Sequence, residues 1–186
     1  MKYLRPAVLS LLLFSVLTGI AYPLLITGVA QVAFPAQANG SLVEQDGKVI
    51  GSSLIGQEFK KPGYFWARLS ATGNNAYNPL ASGGSNLSTG NSALTDAVKG
   101  RIADLKKYPT PAGAVPVDLV TASASGLDPH VTPAAALYQL PRVAAARHID
   151  AAQLQALVSA NTEQPGLLGE ARVNVLALNM ALDKLK

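Results

Sequence analysis

The chain has 186 residues, with 15 Lys and Arg against 11 Asp and Glu, and it contains no cysteine. The lack of cysteine excludes a disulfide framework, thiolate metal ligands and a thiol nucleophile, so stability must come from packing. Two of the cations, Lys2 and Arg5, precede a long apolar stretch, and the net charge of +2 on the remainder is too small for a nucleic-acid footprint, so no nucleic-acid partner is expected.

The apolar stretch runs from Pro6 to Phe34 without a charged residue. Because about 20 apolar residues cross a hydrocarbon core of about 30 Å, it predicts one transmembrane helix over residues 6–34. The positive-inside bias places residues 1–5 in the cytoplasm as a short head. Residues 35–186 then form one extracytoplasmic, periplasmic domain, and we expect a single-pass protein of the cell inner (plasma) membrane with its N-terminus in the cytoplasm.

A cleaved signal peptide is the alternative interpretation of the N-terminal segment. The small-x-small pattern Ala36-Gln37-Ala38 is typical of a cleavage site. The apolar run is, however, about twice as long as the apolar region of a signal peptide, which favours a retained anchor.

The first part of the predicted domain contains a hairpin, an aromatic segment and a long loop. Asp46-Gly47 inside Ser41–Ile50 predicts two short strands joined by a type I′ turn. Gly51–Arg68 carries an aromatic cluster, which predicts either core and lid or a protein contact surface. Ser70–Ser92 is rich in Gly, Asn and Ser, and a loop of this length in a compact domain is usually functional or disordered.

The second part predicts helices with a short β-rich run between them, so the expected fold class is α+β with a small sheet packed by helices. The boundaries come from caps, prolines and apolar periodicity. They predict a helix over Ser92–Tyr108 capped by Asn91 or Ser92, a β-rich run over Val115–Ser123, helices opening at Thr132-Pro133 and Pro141, a helix capped by Asp150, and a terminal helix from Arg172 onward, with a strand as the alternative there.

Three groups of residues are candidates for chemistry. Ser123, Ser125, Asp128 and His130 could form a hydrolase triad, although no G-x-S-x-G elbow occurs. Asp128 and His130, with His148, could bind a metal ion. The competing structural interpretation is a turn in which Gly126 adopts an unusual backbone angle and His130 binds a loop carbonyl. Ser82-Gly83-Gly84-Ser85-Asn86 is only weakly similar to a phosphate-binding loop, because no Lys follows and no strand precedes it.

Four polar residues lie on helices that are otherwise apolar. They are Gln139, Arg142, Asn174 and Asn179. Because buried polar groups need hydrogen-bond partners, we expect these side chains to bind the loops around residues 123–130.

Blocks of sequence in the same order along the chain resemble one family, KdpC, the small subunit of the bacterial Kdp potassium-importing P-type ATPase. Beyond the anchor, the resemblance rests on Gly51–Gln57, Tyr64–Arg68, Tyr77-Asn78, Ser82–Asn86, Val115–Thr121, Ser125–His130, Gln139, Arg142–Ala144, Arg172–Leu176 and Leu178-Asn179. One departure is Leu69, which stands where the family has proline in an R-P-S motif.

The resemblance implies a non-catalytic accessory or assembly subunit of an ATP-driven potassium import complex. Its partners would be a channel-like potassium-translocating subunit and a P-type ATPase subunit, in contact with the lipid bilayer. The chain would have no cofactor of its own, because potassium and ATP-Mg are handled by the complex, and it would stabilise the complex or tune its affinity for potassium or ATP. The alternatives are a membrane-tethered extracytoplasmic hydrolase and a solute-binding domain.

The residues expected to contact partners or to organise loops lie in three parts of the chain. They are Tyr77, Asn78, Ser82, Gly83, Gly84, Ser85 and Asn86; Ser125, Gly126, Leu127, Asp128, Pro129 and His130; and Gln139, Arg142, Asn174 and Asn179. In the complex, the loop Ser70–Asn91 is expected to lie against the partner subunit.

Overall fold

The computed structural model describes residues 2–185 and confirms an α+β fold that begins with one long apolar helix. The chain divides into two units, Met1–Ile50 and Gly51–Lys186. The membrane topology expected for residues 1–5, 6–34 and 35–186 stays a prediction.

The long helix consists of α1 (Leu4–Val16), a wide π-helical turn (Leu17–Ala21) and α2 (Tyr22–Ala33). These 30 residues have a mean hydropathy of 2.2 over their most apolar window, and none of that window is buried, so the helix is a candidate membrane span. The wide turn ends two residues before Pro23, which has no N–H to donate and whose ring would crowd the preceding turn of a regular α-helix.

The first unit continues into a short helix, α3 (Pro35–Ala38), and a hairpin. Strands β1 (Leu42–Gln45) and β2 (Lys48–Ser52) pair with each other. Asp46 and Gly47 between them have φ of +52° and +73°, the backbone that a type I′ turn requires. The predicted hairpin is confirmed.

The second unit is built from five helices and a three-stranded sheet among its described residues. The helices are α4 (Ser92–Leu105), α5 (Pro133–Tyr138), α6 (Leu140–Arg147), α7 (Ala151–Ala160) and α8 (Val175–Asp183), and the strands are β3 (His130–Val131), β4 (Thr162–Glu163) and β5 (Arg172–Asn174). Short 3₁₀ turns lie at Pro79–Ala81, Val117–Leu119 and Gly166–Leu168.

Side-chain caps begin most of these helices where the sequence predicts them. Asn91, Thr132 and Asp150 each accept a hydrogen bond from a backbone N–H in the first turn of α4, α5 and α7. The terminal helix begins later than predicted, because Arg172–Asn174 form β5 and the Asn174 side chain caps α8 by accepting from the Ala177 N–H.

The prediction of β-structure over Val115–Ser123 is wrong. Val117–Leu119 forms a 3₁₀ turn, and the only ladder contact of the run among the described residues is a single bridge from Ala122 to Leu69. Leu119 is nonetheless fully buried. A short apolar run can be buried from a turn as well as from a strand, and periodicity alone does not separate the two.

The sheet has β5 in its middle, antiparallel to both neighbours. Val173 lies opposite Val131 on one side and Thr162 on the other. Both valines are almost completely buried and join the core formed with α4 to α8, which includes Leu105, Leu154, Val158, Leu178 and Leu182.

Candidate functional site

Two of the three parts of the chain that were expected to contact partners or to organise loops lie together in the structure. The loop of residues 70–91 and the turn of residues 123–130 are hydrogen-bonded side by side. The Gly83 N–H donates to the Ser125 carbonyl over 2.9 Å, and the Ser82 hydroxyl donates to the same oxygen over 3.0 Å. These paired loops, residues 70–91 with 123–130, form one surface although about 40 residues separate their contacting parts.

Two residues near the start of the loop hold its backbone. The Ser70 hydroxyl donates to the Gly126 carbonyl over 2.7 Å and accepts from the Tyr77 N–H over 2.8 Å. Thr72 Oγ1 donates to the Asn75 carbonyl and accepts from the Asn78 N–H. The backbone of this long loop is therefore fixed by side chains rather than by a strand ladder.

Tyr77 is the buried anchor of the loop. It adopts a φ of +57° and its ring is buried, with the hydroxyl donating to the Arg68 carbonyl. Burial raises the pKa of Tyr77 to about 12, with smaller contributions from the negative charges of Glu58 and Asp128. Its hydroxyl is therefore protonated throughout the physiological pH range and serves as a hydrogen-bond donor.

Two glycines permit the close approach of the paired loops. Gly126 has a φ of +67°, and a Cβ there would lie 2.4 Å from the Thr72 methyl and 2.8 Å from the Gly83 carbonyl. A Cβ on Gly84 would lie 3.0 Å from the Ala124 carbonyl. The unusual backbone angle predicted for Gly126 is confirmed, and the lack of a side chain is required at this position.

The remaining predicted loop residues occupy different environments. Ser85 and Asn86 are exposed, and Asn86 has a φ of +53°. Asn78 caps the 3₁₀ turn Pro79–Ala81 by accepting from the Leu80 N–H. Leu127 is half-buried, and Pro129 is buried with its carbonyl accepting from the Val175 N–H.

Asp128 organises the turn that leads into β3. Its Oδ1 accepts from the His130 N–H over 3.0 Å, and its Oδ2 lies 3.2 Å from Arg68 Nη1 in an ion pair. The His130 ring lies 3.6 Å from the Asp128 carboxylate and 3.9 Å from that of Glu163. The carbonyl contact predicted for the His130 ring is wrong, because its polar neighbours among residues 2–185 are carboxylates.

The described residues do not assemble the hydrolase triad considered from the sequence. The Ser125 hydroxyl accepts from the Leu127 N–H over 3.1 Å, and no hydrogen bond joins it to His130 within residues 2–185. Ser123 is buried, with no hydrogen-bond partner for its hydroxyl there. No cluster of three or more His, Asp or Glu side chains with metal-binding geometry occurs in this part of the chain.

The third of these parts consists of Gln139, Arg142, Asn174 and Asn179, which are buried elsewhere. Their side chains hydrogen-bond to the segment that carries the aromatic cluster. The Asn179 amide accepts from the Phe65 N–H over 2.8 Å and donates to the Phe65 carbonyl over 3.0 Å. Gln139 makes the same pair of bonds with the N–H and carbonyl of Trp66, over 2.7 and 3.1 Å. The backbone N–H and carbonyl groups of two adjacent residues that belong to no strand are thus hydrogen-bonded by side chains from α8 and from the junction of α5 and α6.

Arg142 and Asn174 extend this group. Arg142 Nη1 donates to the Pro62 and Tyr64 carbonyls over 2.6 and 2.8 Å, and burial lowers the pKa of Arg142 to about 10. Asn174 donates to the Ser53 carbonyl over 2.9 Å. The predicted partners of the four polar residues are wrong: the side chains fix residues 53–66 and not the turn of residues 123–130.

Sequence reasoning missed Arg68, Ser70 and Arg101. Arg68 binds Asp128 from 60 positions away, and Ser70 binds the Gly126 carbonyl from 56 positions away, and no local pattern signals such contacts. Arg101 lies in α4, stacks 5.0 Å from the centre of the Trp66 ring and donates from Nε to the Leu119 carbonyl. An arginine in an amphipathic helix resembles any exposed cation in the sequence.

The fold and the site define a class of protein, a chain with one candidate membrane span followed by a helix-and-sheet unit that presents paired, side-chain-braced loops. The family model described as KdpC, K+-transporting ATPase, c chain, matches residues 4–184. The chain belongs to the KdpC family.

Similar proteins cover nearly the whole chain. A Potassium-transporting ATPase KdpC subunit of Polaromonas naphthalenivorans is 61% identical over 98% of this chain and 95% of its own length. The one from Herpetosiphon aurantiacus is 58% identical over 99% and 97%. The one from Serratia proteamaculans is 54% identical over the full length of both chains. The resemblance inferred from sequence blocks is confirmed.

Proposed function

We propose that the chain is the accessory subunit of a potassium-transporting ATPase complex and that it stabilises the channel-like and P-type ATPase subunits of that complex. Family membership and the names of the similar proteins support this role. The exposed apolar helix Leu4–Ala33 supports membrane anchoring beside larger subunits.

One observation supports docking through the paired loops. Their backbone is held by the buried anchor Tyr77 and by Gly126, yet the outer residues of the loop are exposed, and Leu80 is 95% exposed. A surface that is already ordered loses little conformational entropy when a partner binds, so it docks at lower cost than a disordered loop of the same length. We infer that the loop of residues 70–91 lies against a partner subunit.

The remaining parts of the proposal follow from this role. The unit that carries the paired loops lies outside the cytoplasm, on the periplasmic side of the inner membrane, as the charges of Lys2 and Arg5 favour. The chain supplies no catalytic residue and no cofactor, and the partner subunits bind potassium and ATP-Mg. Docking of the loops tunes the affinity of the complex for potassium or ATP by stabilising one arrangement of the partners.

Hydrogen exchange tests the docking surface. In the assembled complex, backbone amides of residues 70–91 should exchange more slowly than in the free chain, whereas those of the turn Gly166–Leu168 serve as an internal reference. Equal exchange of residues 70–91 in both states would contradict docking through this loop.

A pair of variants tests the same surface by function. Leu80→Asp places a charge on a side chain that is 95% exposed, so it leaves folding intact but opposes burial at an interface. The expected result is reduced co-purification of the two larger subunits and reduced potassium-stimulated ATP hydrolysis. Leu167→Asp is the matched control, because Leu167 is equally exposed on another turn. Full activity of both variants would count against the proposed surface.

A further inference from the structure

The C-terminal end of α4 and the segment carrying Trp66 enclose a cavity of about 340 Å³. Trp66, Tyr77 and Tyr108 contribute aromatic walls, and Arg101, Asp104 and Lys107 from α4 and the turn after it contribute charge. Within the paired loops, Ser70, Ala76 and Tyr77 line it. The outer loop residues Leu80, Ser85 and Asn86 do not, so the cavity is distinct from the outer surface of the paired loops.

The charged side chains around the cavity are paired with one exception. Lys60 lies 3.0 Å from Glu58, and Lys107 lies 2.6 Å from Asp104. Arg68, also in the lining, is paired with Asp128. Among residues 2–185, no carboxylate lies within 4.0 Å of the Arg101 guanidinium. Of the cations that line the cavity, Arg101 is thus the one without an ion-pair partner among residues 2–185. Burial lowers the pKa of Arg101, and the negative charges of Asp104 and Glu58 oppose that lowering from beyond ion-pair distance.

The donors of Arg101 are also incompletely used. Nε donates to the Leu119 carbonyl over 3.1 Å, which fixes the plane of the guanidinium beside the Trp66 ring. No described residue accepts a hydrogen bond from the two terminal nitrogens. A fixed guanidinium with free terminal N–H groups is suited to a carboxylate, which accepts two parallel hydrogen bonds.

A second cation increases the need for a negative charge near Trp66. The Arg142 guanidinium lies 4.0 Å from the centre of the Trp66 ring, and it is bound by carbonyl and amide oxygens rather than by a carboxylate. Burial lowers the pKa of Arg142, and the positive charge of Arg101 contributes to the lowering. The two cations therefore repel each other, and an anion beside Arg101 would relieve that repulsion.

We propose that this cavity binds a carboxylate group, with the terminal nitrogens of Arg101 as its hydrogen-bond donors and Trp66 as the adjacent wall. A single unpaired positive charge matches a monoanion. The carbonyls at the C-terminal end of α4 carry partial negative charge, which disfavours a more highly charged phosphate. The carboxylate belongs either to a small free organic acid or to an acidic side chain of a neighbouring subunit.

Fluorescence of the purified full-length chain in detergent tests the proposal, because Trp66 is the only tryptophan. Sodium propionate, which has the size of a glutamate side chain, should change the emission in a saturable way, and sodium chloride at equal ionic strength should not. Loss of a charge-assisted hydrogen bond predicts that Arg101→Gln weakens the propionate response about 10- to 100-fold. Lys99→Gln, an exposed cation of the same helix outside the cavity, should respond like the wild type.

Several results would overturn the proposal. They are a propionate response that does not saturate, one that is unchanged in Arg101→Gln, and a stronger response to sodium phosphate than to propionate. Arg101→Lys provides a second variant if Arg101→Gln does not fold. It should bind propionate more weakly than the wild type, because it keeps the positive charge but loses the two parallel N–H donors of the guanidinium.

The same titration in the assembled complex identifies the source of the carboxylate. Loss of the propionate response on assembly supports an acidic side chain of a partner that fills the cavity. A response retained in the complex supports a free organic acid. Because binding is measured first on the chain alone, failure of this proposal leaves the accessory role untouched.

Discussion

Replacement of Asn179 by alanine should expose how strongly the aromatic segment depends on side-chain hydrogen bonds. Asn179 is 2% exposed, and its amide pairs with both the N–H and the carbonyl of Phe65, which is fully buried. An unpaired buried polar group costs about 1–3 kcal/mol, so two of them should lower the free energy of unfolding by about 2–6 kcal/mol. With a urea dependence of about 2 kcal/mol per molar, the unfolding midpoint should fall by about 1–3 M.

Urea unfolding of the full-length chain in detergent, followed by Trp66 fluorescence, measures this loss. Asn74→Ala is the matched control, because Asn74 is exposed and should change stability by no more than about 0.5 kcal/mol. Asn179→Leu fills the space without restoring the hydrogen bonds, so it should be destabilised as well. A loss below about 0.5 kcal/mol for Asn179→Ala, or wild-type stability of Asn179→Leu, would refute the hydrogen-bond account.

The remaining predictions concern two glycines and one tyrosine. Gly126→Ala should lower the free energy of unfolding by about 1–3 kcal/mol, because its φ is +67° and the new Cβ would lie 2.4 Å from the Thr72 methyl. Gly100→Ala, in α4 with open space around it, should raise the free energy of unfolding by about 0.5–1 kcal/mol. Thermal unfolding measures both variants, and a stabilised Gly126→Ala or a destabilised Gly100→Ala would contradict these predictions. Burial raises the pKa of Tyr77 to about 12 from 10.0. The contribution of its protonated hydroxyl to the free energy of unfolding is therefore complete below pH 10 and is lost as the pH rises from 10 to 12. Urea midpoints in this range should fall less for Tyr77→Phe than for the wild type, and identical slopes would contradict the assignment.

Elements with local signals could be predicted from the sequence. The hairpin turn at Asp46-Gly47 and the caps Asn91, Thr132 and Asp150 act on backbone groups within three residues, so the sequence nearby contains the whole interaction. The 30-residue apolar helix is equally evident, because its composition alone sets it apart. The family could be identified because many short motifs occur in the right order.

Contacts between distant parts of the chain could not be predicted in this way. The sequence identifies Gln139 and Asn179 as polar residues on apolar helices, yet their partners, residues 66 and 65 respectively, lie 73 and 114 positions away. The pairing of the loop at Gly83 with Ser125 is of the same kind, and so is the ion pair of Arg68 with Asp128. In each case the residue type indicates that a partner is needed, and only the tertiary fold determines which one.

The order of the strands has a consequence for biosynthesis. The middle strand of the sheet, Arg172–Asn174, is made last, and both outer strands precede it in the chain. Asn174 and Asn179, whose side chains bind residues 53 and 65, are likewise synthesised more than 110 residues after their partners. The outer strands therefore remain unpaired until the ribosome has synthesised their shared neighbour. The contacts between these distant parts of the chain can form only after that. A chain that stops before residue 172 lacks the strand that joins the other two, so premature termination yields a target for proteolysis rather than a shortened subunit.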